Sequence, residues 1–381
     1  MPVPPLGHVA AETPVAVVYG GPSAEHDVSI VSGTAIADAL AGSGYPVRQW
    51  LIDLDGGWWQ LPADHRRAGR PQVAYDDPSA LGALGPLPAA VALGRLAADP
   101  AGRPVAFLAL HGPFGEDGTV QALCEAEGLS YTGSGVTASA IGMDKAIFKR
   151  LVRGLGLPVV DWVEIRASRW ATAPADVLAE LAAFAAGTGD ERLMVKPARL
   201  GSSLGMTLAH TAAERGGALA EAFRFDDLAL VERYLAGARD LEVSVIGNEP
   251  DALELFGPGE ILSGHEFYDY VAKYTPGMSE TSQAAEVTAM QRATILKLAR
   301  DAYRSIGCEG FARIDFLLAG EELVVSEINT IPGFTPISLF PTLPAAAGYD
   351  FAAVCRRVVD LALERDAARV RHRLRTADLP R

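Results

Sequence analysis

Apolar runs that alternate with glycine-bearing loops divide the first part of this chain. Val15 to Tyr19 reads as a strand that runs into Gly20-Gly21-Pro22-Ser23-Ala24-Glu25-His26-Asp27. A helical pattern follows through Ile30, Ala35, Ile36 and Leu40 until Gly42 and Gly44 end it. Further strands are predicted over Val47 to Ile52 and at Trp58-Trp59. Another, over Val105 to Leu110, leads into His111-Gly112-Pro113-Phe114-Gly115-Glu116-Asp117-Gly118 and a helix from Thr119 to Glu127. Strand, glycine loop and helix, repeated, predict an α/β domain whose ligand crevice lies at the carboxyl ends of parallel strands. Neither loop is a GxGxxG or a GxxxxGKS/T, and glycine also makes ordinary turns and helix ends, so each loop taken singly leaves both readings open. The interval 63–100 is rich in alanine, proline and glycine with weak periodicity; it reads as a variable excursion from which no chemistry is expected.

After Tyr131-Thr132-Gly133-Ser134-Gly135 the pattern changes. A helical stretch holds Met143-Asp144-Lys145, Phe148, Leu151, Val152 and Leu155. It is followed by a strand over Pro158 to Ile165 and a helix over Ala175 to Ala186. Next come the strand Leu193-Met194-Val195-Lys196-Pro197, the loop Ala198 to Gly205 and a short strand near Met206 to Leu208. A helix near Ala212 to Phe223 and a strand over Leu228 to Tyr234 complete a small α+β unit. The expected division is 1–133, 134–234 and 235–365, with a charged tail over 366–381. Within the third unit, strands over Phe311 to Leu318 and Glu322 to Ile328 are joined by a turn at Ala319-Gly320. Period-two alternation places Arg313 with Asp315 on one face, and Glu327 with Asn329 on one face.

Candidate chemistry follows from these placements. If the last two strands pair, Asp315, Glu327 and Asn329 converge beside Arg313. Hard oxygen ligands of this kind suit Mg²⁺, and a polar hairpin face is equally an ordinary solvated surface. Lys196, at the end of an apolar strand and facing a loop with Gly201, Ser202, Ser203 and Gly205, has the parts of a phosphate cradle, with Lys145 as a second cation. Glu232, with Asp240 or Glu242, suits an adenine amino group and ribose hydroxyls, or is plain surface.

The chain has 381 residues, too many for one ordinary core, and its 49% hydrophobic and 21% charged residues are those of a folded globular protein. A net charge of -14 and no basic stripe exclude a nucleic-acid surface, while a few lysines in a cleft still serve an anionic nucleotide. Cys124, Cys308 and Cys355 lie far apart in apolar surroundings and read as buried free thiols of a reducing compartment. The start MPVPPLGHVAAETP lacks a basic region followed by an apolar core, and no apolar run approaches a membrane span, so a cytoplasmic protein without membrane contact is expected.

In order along the chain, GGPSAEHDVS, LHGPFGEDGTVQ, YTGSGVTASAIGMDK, VKPARLGSSLG, EFYDYVAKY, GFARIDF and EINTIPGFTPIS each resemble the pattern of the D-alanine-D-alanine ligases, covering roughly Val15 to Leu363. The resemblance implies a three-domain ATP-grasp fold of mixed α/β and α+β class with an N-terminal, Rossmann-like parallel-sheet domain. It implies ATP-dependent joining of two D-alanines through an acyl phosphate, for peptidoglycan precursor synthesis. By the same resemblance Glu25 holds the ammonium of the first D-alanine, with Ser202 and Tyr274 hydrogen-bonded to it and His111 nearby. Lys145, Lys196 and Lys273 contact ATP phosphates with the Ser202-Ser203 loop, Glu232 meets adenine and Asp240 ribose. Asp315, Glu327 and Asn329 bind two Mg²⁺, a role Mn²⁺ also fills. Arg313 and the Gly333 backbone stabilise charge at the acyl centre, and Ser338 and Leu339 receive the second D-alanine. Gly264 to Met278, with Tyr268, matches the family's mobile loop, and a homodimer through the first domain is implied.

The ribose stretch GARDLEV is one residue longer than the usual pattern, which leaves Asp240 against Glu242 open. Val271 and Leu200 stand where acidic residues are common. Other members of the same fold, a D-alanine-D-lactate ligase or another ATP-grasp amide or peptide ligase, share the phosphate and metal motifs. The substrate-side residues Glu25, His111, Ser202, Tyr268, Tyr274 and Ser338 favour the peptide-forming group. A catalytically silent nucleotide-binding protein would not need all of these residues.

Overall fold

The computed structural model describes residues 13–249, 251–263 and 279–369. Its first sheet has six strands in the order β4-β3-β2-β1-β5-β6. They are β1 (Val15–Gly20), β2 (Val47–Ile52), β3 (Trp58–Gln60), β4 (Leu84–Leu87), β5 (Val105–Leu108) and β6 (Ser130–Tyr131). β1 runs parallel to β2 and to β5, and β5 parallel to β6. β1 is apolar throughout because both of its faces are covered. Val15, Val17 and Tyr19 pack with helix α1 (His26–Gly42), and Ala16 and Val18 join a second cluster with Leu93 and Leu96 of helix α2 (Ala89–Ala97) and Val120 and Cys124 of helix α3 (Thr119–Ala126).

The interval 63–100 is more than an excursion. It adds β4 to the sheet edge, forms α2, and inserts the fully buried Tyr75 beside Tyr19, ring centroids 6.4 Å apart.

After α4 (Val136–Met143) and α5 (Lys145–Gly154), a second sheet is antiparallel throughout. It takes the order β7 (Trp162–Arg166), β10 (Leu228–Arg233), β8 (Leu193–Pro197), β9 (Thr207–Ala209). One face is covered by α6 (Ala167–Thr172), α7 (Pro174–Thr188) and α8 (Arg215–Ala222); on the other, Ala146 of α5 packs with Ala198, Leu228 and Leu230. The strand expected from Pro158 begins only at Trp162, and the helix expected from Ala212 starts as a short 3-10 turn before Arg215.

The third sheet is also antiparallel, ordered β13 (Ser279–Ser282), β12 (Glu254–Ser263), β11 (Arg239–Ile246), β14 (Phe311–Ala319), β15 (Glu322–Asn329). Helix α9 (Ala289–Ser305) covers it, opened by a capping box in which Thr288 and Gln291 each accept from the other's backbone. After a short helix α10 (Leu339–Thr342), the long α11 (Phe351–Arg369) returns to the first sheet, where its Val354, Val358 and Leu361 join the core around α1. The tail expected from residue 366 therefore begins inside a packed helix: Asp366 accepts a hydrogen bond from Ser130, and Arg369 pairs with Glu125 and Glu309. Cys124, Cys308 and Cys355 are buried free thiols, and burial raises each pKa, to about 12 for Cys124 and Cys308. Among the described residues no helix is long and apolar enough to cross a membrane.

Candidate active site

Three contacts bring the sheets to one place. Ser202 of the β8-β9 loop donates to Glu25 at the head of α1. Lys145 of α5 lies 3.0 Å from Glu327 of β15, and His111 after β5 meets the carbonyl of Ile331 after β15.

The first sheet supplies a carboxylate pocket. Glu25 stands at the cap of α1 and is buried, so its charge sits where the helix N-terminus favours an anion. Its Oε1 accepts from Ser202, and its buried Oε2 has no hydrogen-bond partner among the described residues. Two glycines leave that oxygen room. A Cβ on Gly112 (φ +77°) would lie 2.8 Å from it and 2.5 Å from Ser23 Oγ, and a Cβ on Gly201 would lie 2.8 Å from it. Ser29 fixes the pocket wall by accepting from the Gly20 N-H (2.7 Å) and donating to the Ala109 carbonyl (2.6 Å).

His111 Nδ1 lies 3.2 Å from the Ile331 carbonyl, which can only accept, so Nδ1 carries the proton and Nε2 accepts from Ser32 Oγ at 3.0 Å. Burial lowers its pKa, so the ring is neutral. Beside it Glu116 accepts from the Gly112 N-H at 2.7 Å, and burial, then the charge of Glu25, raise its pKa to about 8. Glu116 was present in the HGPFGEDG string but not expected in the site. Its signal was a carboxylate enclosed among glycines.

The loop between β8 and β9 is held in a costly shape. Ser202 and Ser203 have φ of +51° and +56°, a region that costs an ordinary residue about 1–3 kcal/mol. Its base is clamped by Arg199, which pairs with Asp226 at 2.6 Å and with Asp227. Lys145 donates to the Leu200 carbonyl at 2.8 Å. Asp144 caps α5 by accepting from Ile147 N at 2.9 Å, which sets Lys145 at the first helical position. An ammonium is disfavoured at a helix N-terminus. Burial also lowers the pKa of Lys145, but Glu327 outweighs this and holds it above the ordinary value.

On the second sheet Lys196 and Glu232 occupy adjacent antiparallel strands, with Lys196 opposite Leu230 and Glu232 opposite Met194. They therefore share a face, and Lys196 Nζ lies 2.9 Å from Glu232 Oε2. The other oxygen, Oε1, is 2.7 Å from the ammonium of Lys149, a residue the sequence reading did not single out. Burial pushes the Glu232 pKa up, but Lys149 and Lys196 hold it below the ordinary value. Burial lowers that of Lys149 to about 8.

The third sheet brings Arg313, Asp315, Glu327 and Asn329 together as their alternation required. Arg313 is paired with Asn329 in register, and Asp315 with Glu327. Arg313 forms a bidentate pair with Asp315 (2.7 Å to each oxygen), and the Asn329 amide donates to Asp315 Oδ2 at 3.0 Å. Glu242, directly across from Asp315 on β11, lies 3.3 Å from Arg313, so it belongs to this cluster; Asp240 lies farther along the same face of β11. No group of three or more His, Cys, Asp or Glu among the described residues is arranged as a metal cage. Two carboxylates and an amide are instead a partial set of hard donors, of the kind that suits an ion taking its other oxygens from water and phosphate.

Beyond β15, Gly333 faces Ser338, whose Oγ is 3.3 Å from where a Cβ on Gly333 would lie. Ser338 Oγ also meets Thr335 Oγ1 at 2.7 Å, and Leu339 is buried. Tyr268, Lys273 and Tyr274 lie outside the described residues.

A mixed sheet, parallel over β2, β1, β5 and β6 and antiparallel at β3 and β4, presents a buried carboxylate and meets two antiparallel sheets that present lysines, an arginine and an acidic hairpin; this is the architecture of an ATP-grasp ligase. Residues 14–134 match the D-ala D-ala ligase N-terminus and residues 151–360 the D-ala D-ala ligase C-terminus. The D-alanine-D-alanine ligase of Heliobacterium modesticaldum is 39% identical over 96% of this chain and 98% of its own. That of Kineococcus radiotolerans is 39% identical over 92% and 96%. Among solved structures, the D-alanine-D-alanine ligase from Coxiella burnetii (28% identical, TM-score 0.72) covers 95% of this chain and 97% of its own. The VanG D-Ala:D-Ser ligase from Enterococcus faecalis (27%, TM-score 0.77) covers 92% and 99%. The chain belongs to the D-alanine-D-alanine ligase family, whose members are ATP-dependent enzymes.

Proposed function

We propose that this protein joins two D-alanines to D-alanyl-D-alanine, a peptidoglycan precursor, with conversion of ATP to ADP and phosphate. The observation that carries the reading is the Glu25 pocket: a buried carboxylate, one oxygen held by Ser202, the other approached closely by the backbone of Gly112 and Gly201 and without a hydrogen-bond partner among the described residues. A buried anion of this kind gains most from a cationic ligand, and the neutral His111 beside it does not compete for the charge.

With the ammonium on Glu25, the carboxylate of the first D-alanine is directed toward Arg313 and Lys145. Its oxygen attacks the terminal phosphorus of ATP, giving an acyl phosphate and ADP. The amine of the second D-alanine, received near Ser338 and Leu339, then adds to the acyl carbon, and the tetrahedral centre collapses with loss of phosphate. Arg313 and the Gly333 N-H offset the charge that develops on the acyl oxygen. Asp315, Glu327 and Asn329 would hold Mg²⁺, which when bound offsets charge on the transferred phosphoryl group. Lys196, Lys273 and the Ser202-Ser203 loop serve the phosphates, Glu232 the adenine amino group and Asp240 the ribose. Tyr274 supports Glu25, and Tyr268 helps select the nucleophile. An acyl phosphate must be kept from water, the part assigned to 264–278. A homodimer and a cytoplasmic location complete the reading.

The test is phosphate release with ATP, Mg²⁺ and D-alanine, with products identified by mass, repeated with L-alanine and with D-alanine plus D-lactate or D-serine. D-alanyl-D-alanine from the D-isomer alone is expected. A mixed product in preference to the dipeptide would move the second-substrate assignment toward the ester-forming enzymes or the D-Ala:D-Ser ligases.

A further inference from the structure

Lys149 follows Lys145 by one turn on α5, and its side chain is wholly enclosed, with 0% exposure. Lysine is almost never buried to that degree without a partner. The partner here is one oxygen of Glu232, at 2.7 Å, while Lys196 holds the other at 2.9 Å. The Lys149 ammonium also lies 5.5 Å from the ring centroid of Trp162, the residue opposite Glu232 on β7, and Arg153 covers the same ring at 4.2 Å. One carboxylate is therefore shared between two ammoniums in a buried pocket. Neutralising a buried glutamate requires only one, and the second adds repulsion.

The arrangement makes sense as one half of an exchange. While Lys196 sits on Glu232 Oε2, it takes up one of that oxygen's acceptor positions, and its own ammonium is engaged there. A base that brings its own N-H donor to Oε2 competes with Lys196 for the carboxylate and shifts the ammonium toward the phosphate chain. After that exchange Glu232 keeps a single cation, fixed on a helix and without another acidic partner among the described residues.

We infer that Lys149 is a positioning residue for nucleobase choice: it holds Glu232 charged and oriented through the exchange, so that a purine with an amino group at the 6-position is preferred to one with a carbonyl there. The inference rests on the reading that Glu232 receives the adenine amino group. A purely structural Lys149 would matter for stability and would affect every nucleotide alike.

The experiment measures ADP and IDP affinity by calorimetry, with Mg²⁺, on the full-length protein and on Lys149→Met, Lys149→Gln and Glu232→Gln, with thermal unfolding recorded for each. In Lys149→Met the Kd for ADP rises about 10- to 100-fold, the usual weight of a hydrogen bond to a charged group, while that for IDP changes little, so the preference collapses. Lys149→Gln, which keeps an N-H donor for Glu232, retains part of the preference, and it is read alone if the methionine variant does not fold. Equal weakening for ADP and IDP overturns the inference. If Glu232→Gln abolishes the preference and the Lys149 variants keep it, the role of Lys149 fails and that of Glu232 stands. If Glu232→Gln leaves the preference intact, the adenine reading itself fails, and the inference with it.

Discussion

The two ends of the cleft handle buried charge in opposite ways. At the amino-acid end, Glu25 and Glu116 crowd together around a neutral histidine, and one Glu25 oxygen has no hydrogen-bond partner among the described residues. At the nucleotide end, Glu232 is bracketed by two lysines. The first end is short of positive charge and the second has an excess of it. On the proposed assignment a ligand ammonium relieves the one, and a polyphosphate relieves the other. On that assignment the two substrates are distinguished by electrostatics before shape is considered, and Arg313, tied to Asp315 and Glu242, is the residue assigned to the place where their reacting groups meet.

The sharpest way to break this contrast is Arg313→Ala. It should lower kcat about 10²- to 10³-fold, as loss of one oxyanion-type donor does, with ADP affinity held. A parallel loss of ADP affinity would assign Arg313 to the nucleotide end, and thermal unfolding recorded alongside separates either result from misfolding. Next in size, Glu25→Gln should raise KM for the first D-alanine about 10- to 100-fold while leaving the Kd for ADP unchanged. An effect on ADP of the same size would show that the two ends are not separate.

The smallest effect sharpens the role of Glu116. Its folded-state pKa, about 8, lies above the ordinary 4.5, so the folded protein holds this proton more tightly than the unfolded chain. The stability it contributes is full below about 4.5 and is lost as pH rises toward 8. Glu116→Gln removes that slope: its Tm advantage over the parent should be near zero at pH 4.5 and grow to a few degrees at pH 8, measured by calorimetry. A constant offset would mean that the proton is not held.

What was legible in the sequence was local or strictly periodic. The alternation of Arg313-Ile314-Asp315 and Glu327-Ile328-Asn329 needed only the pairing of neighbouring strands to bring four side chains together. Glu242 illustrates the opposite case. Its partner Arg313 is set by β11 lying beside β14, a neighbour relation that no stretch of sequence near either strand states. The raised pKa of Glu116 likewise comes from enclosure by distant segments. In 63–100 the signal was present but masked: Ala92, Leu93 and Leu96 make a short apolar stripe on α2, diluted by surrounding glycine and proline, and Tyr75 is buried by Tyr19 and His65 rather than by its own neighbours.

The long helix α11 carries a consequence for how the protein comes into being. Its Arg365 donates to the backbone carbonyls of Tyr131 and Gly133, and Arg356 donates to Ser43 at 2.9 Å. The first sheet is therefore completed by a segment synthesised long after β1 and α1. During synthesis β1 and α1 must wait, with part of their apolar surface uncovered, while the intervening chain is made. That nascent stage, rather than any feature of the finished enzyme, is where an aggregation hazard and a chaperone's opportunity coincide.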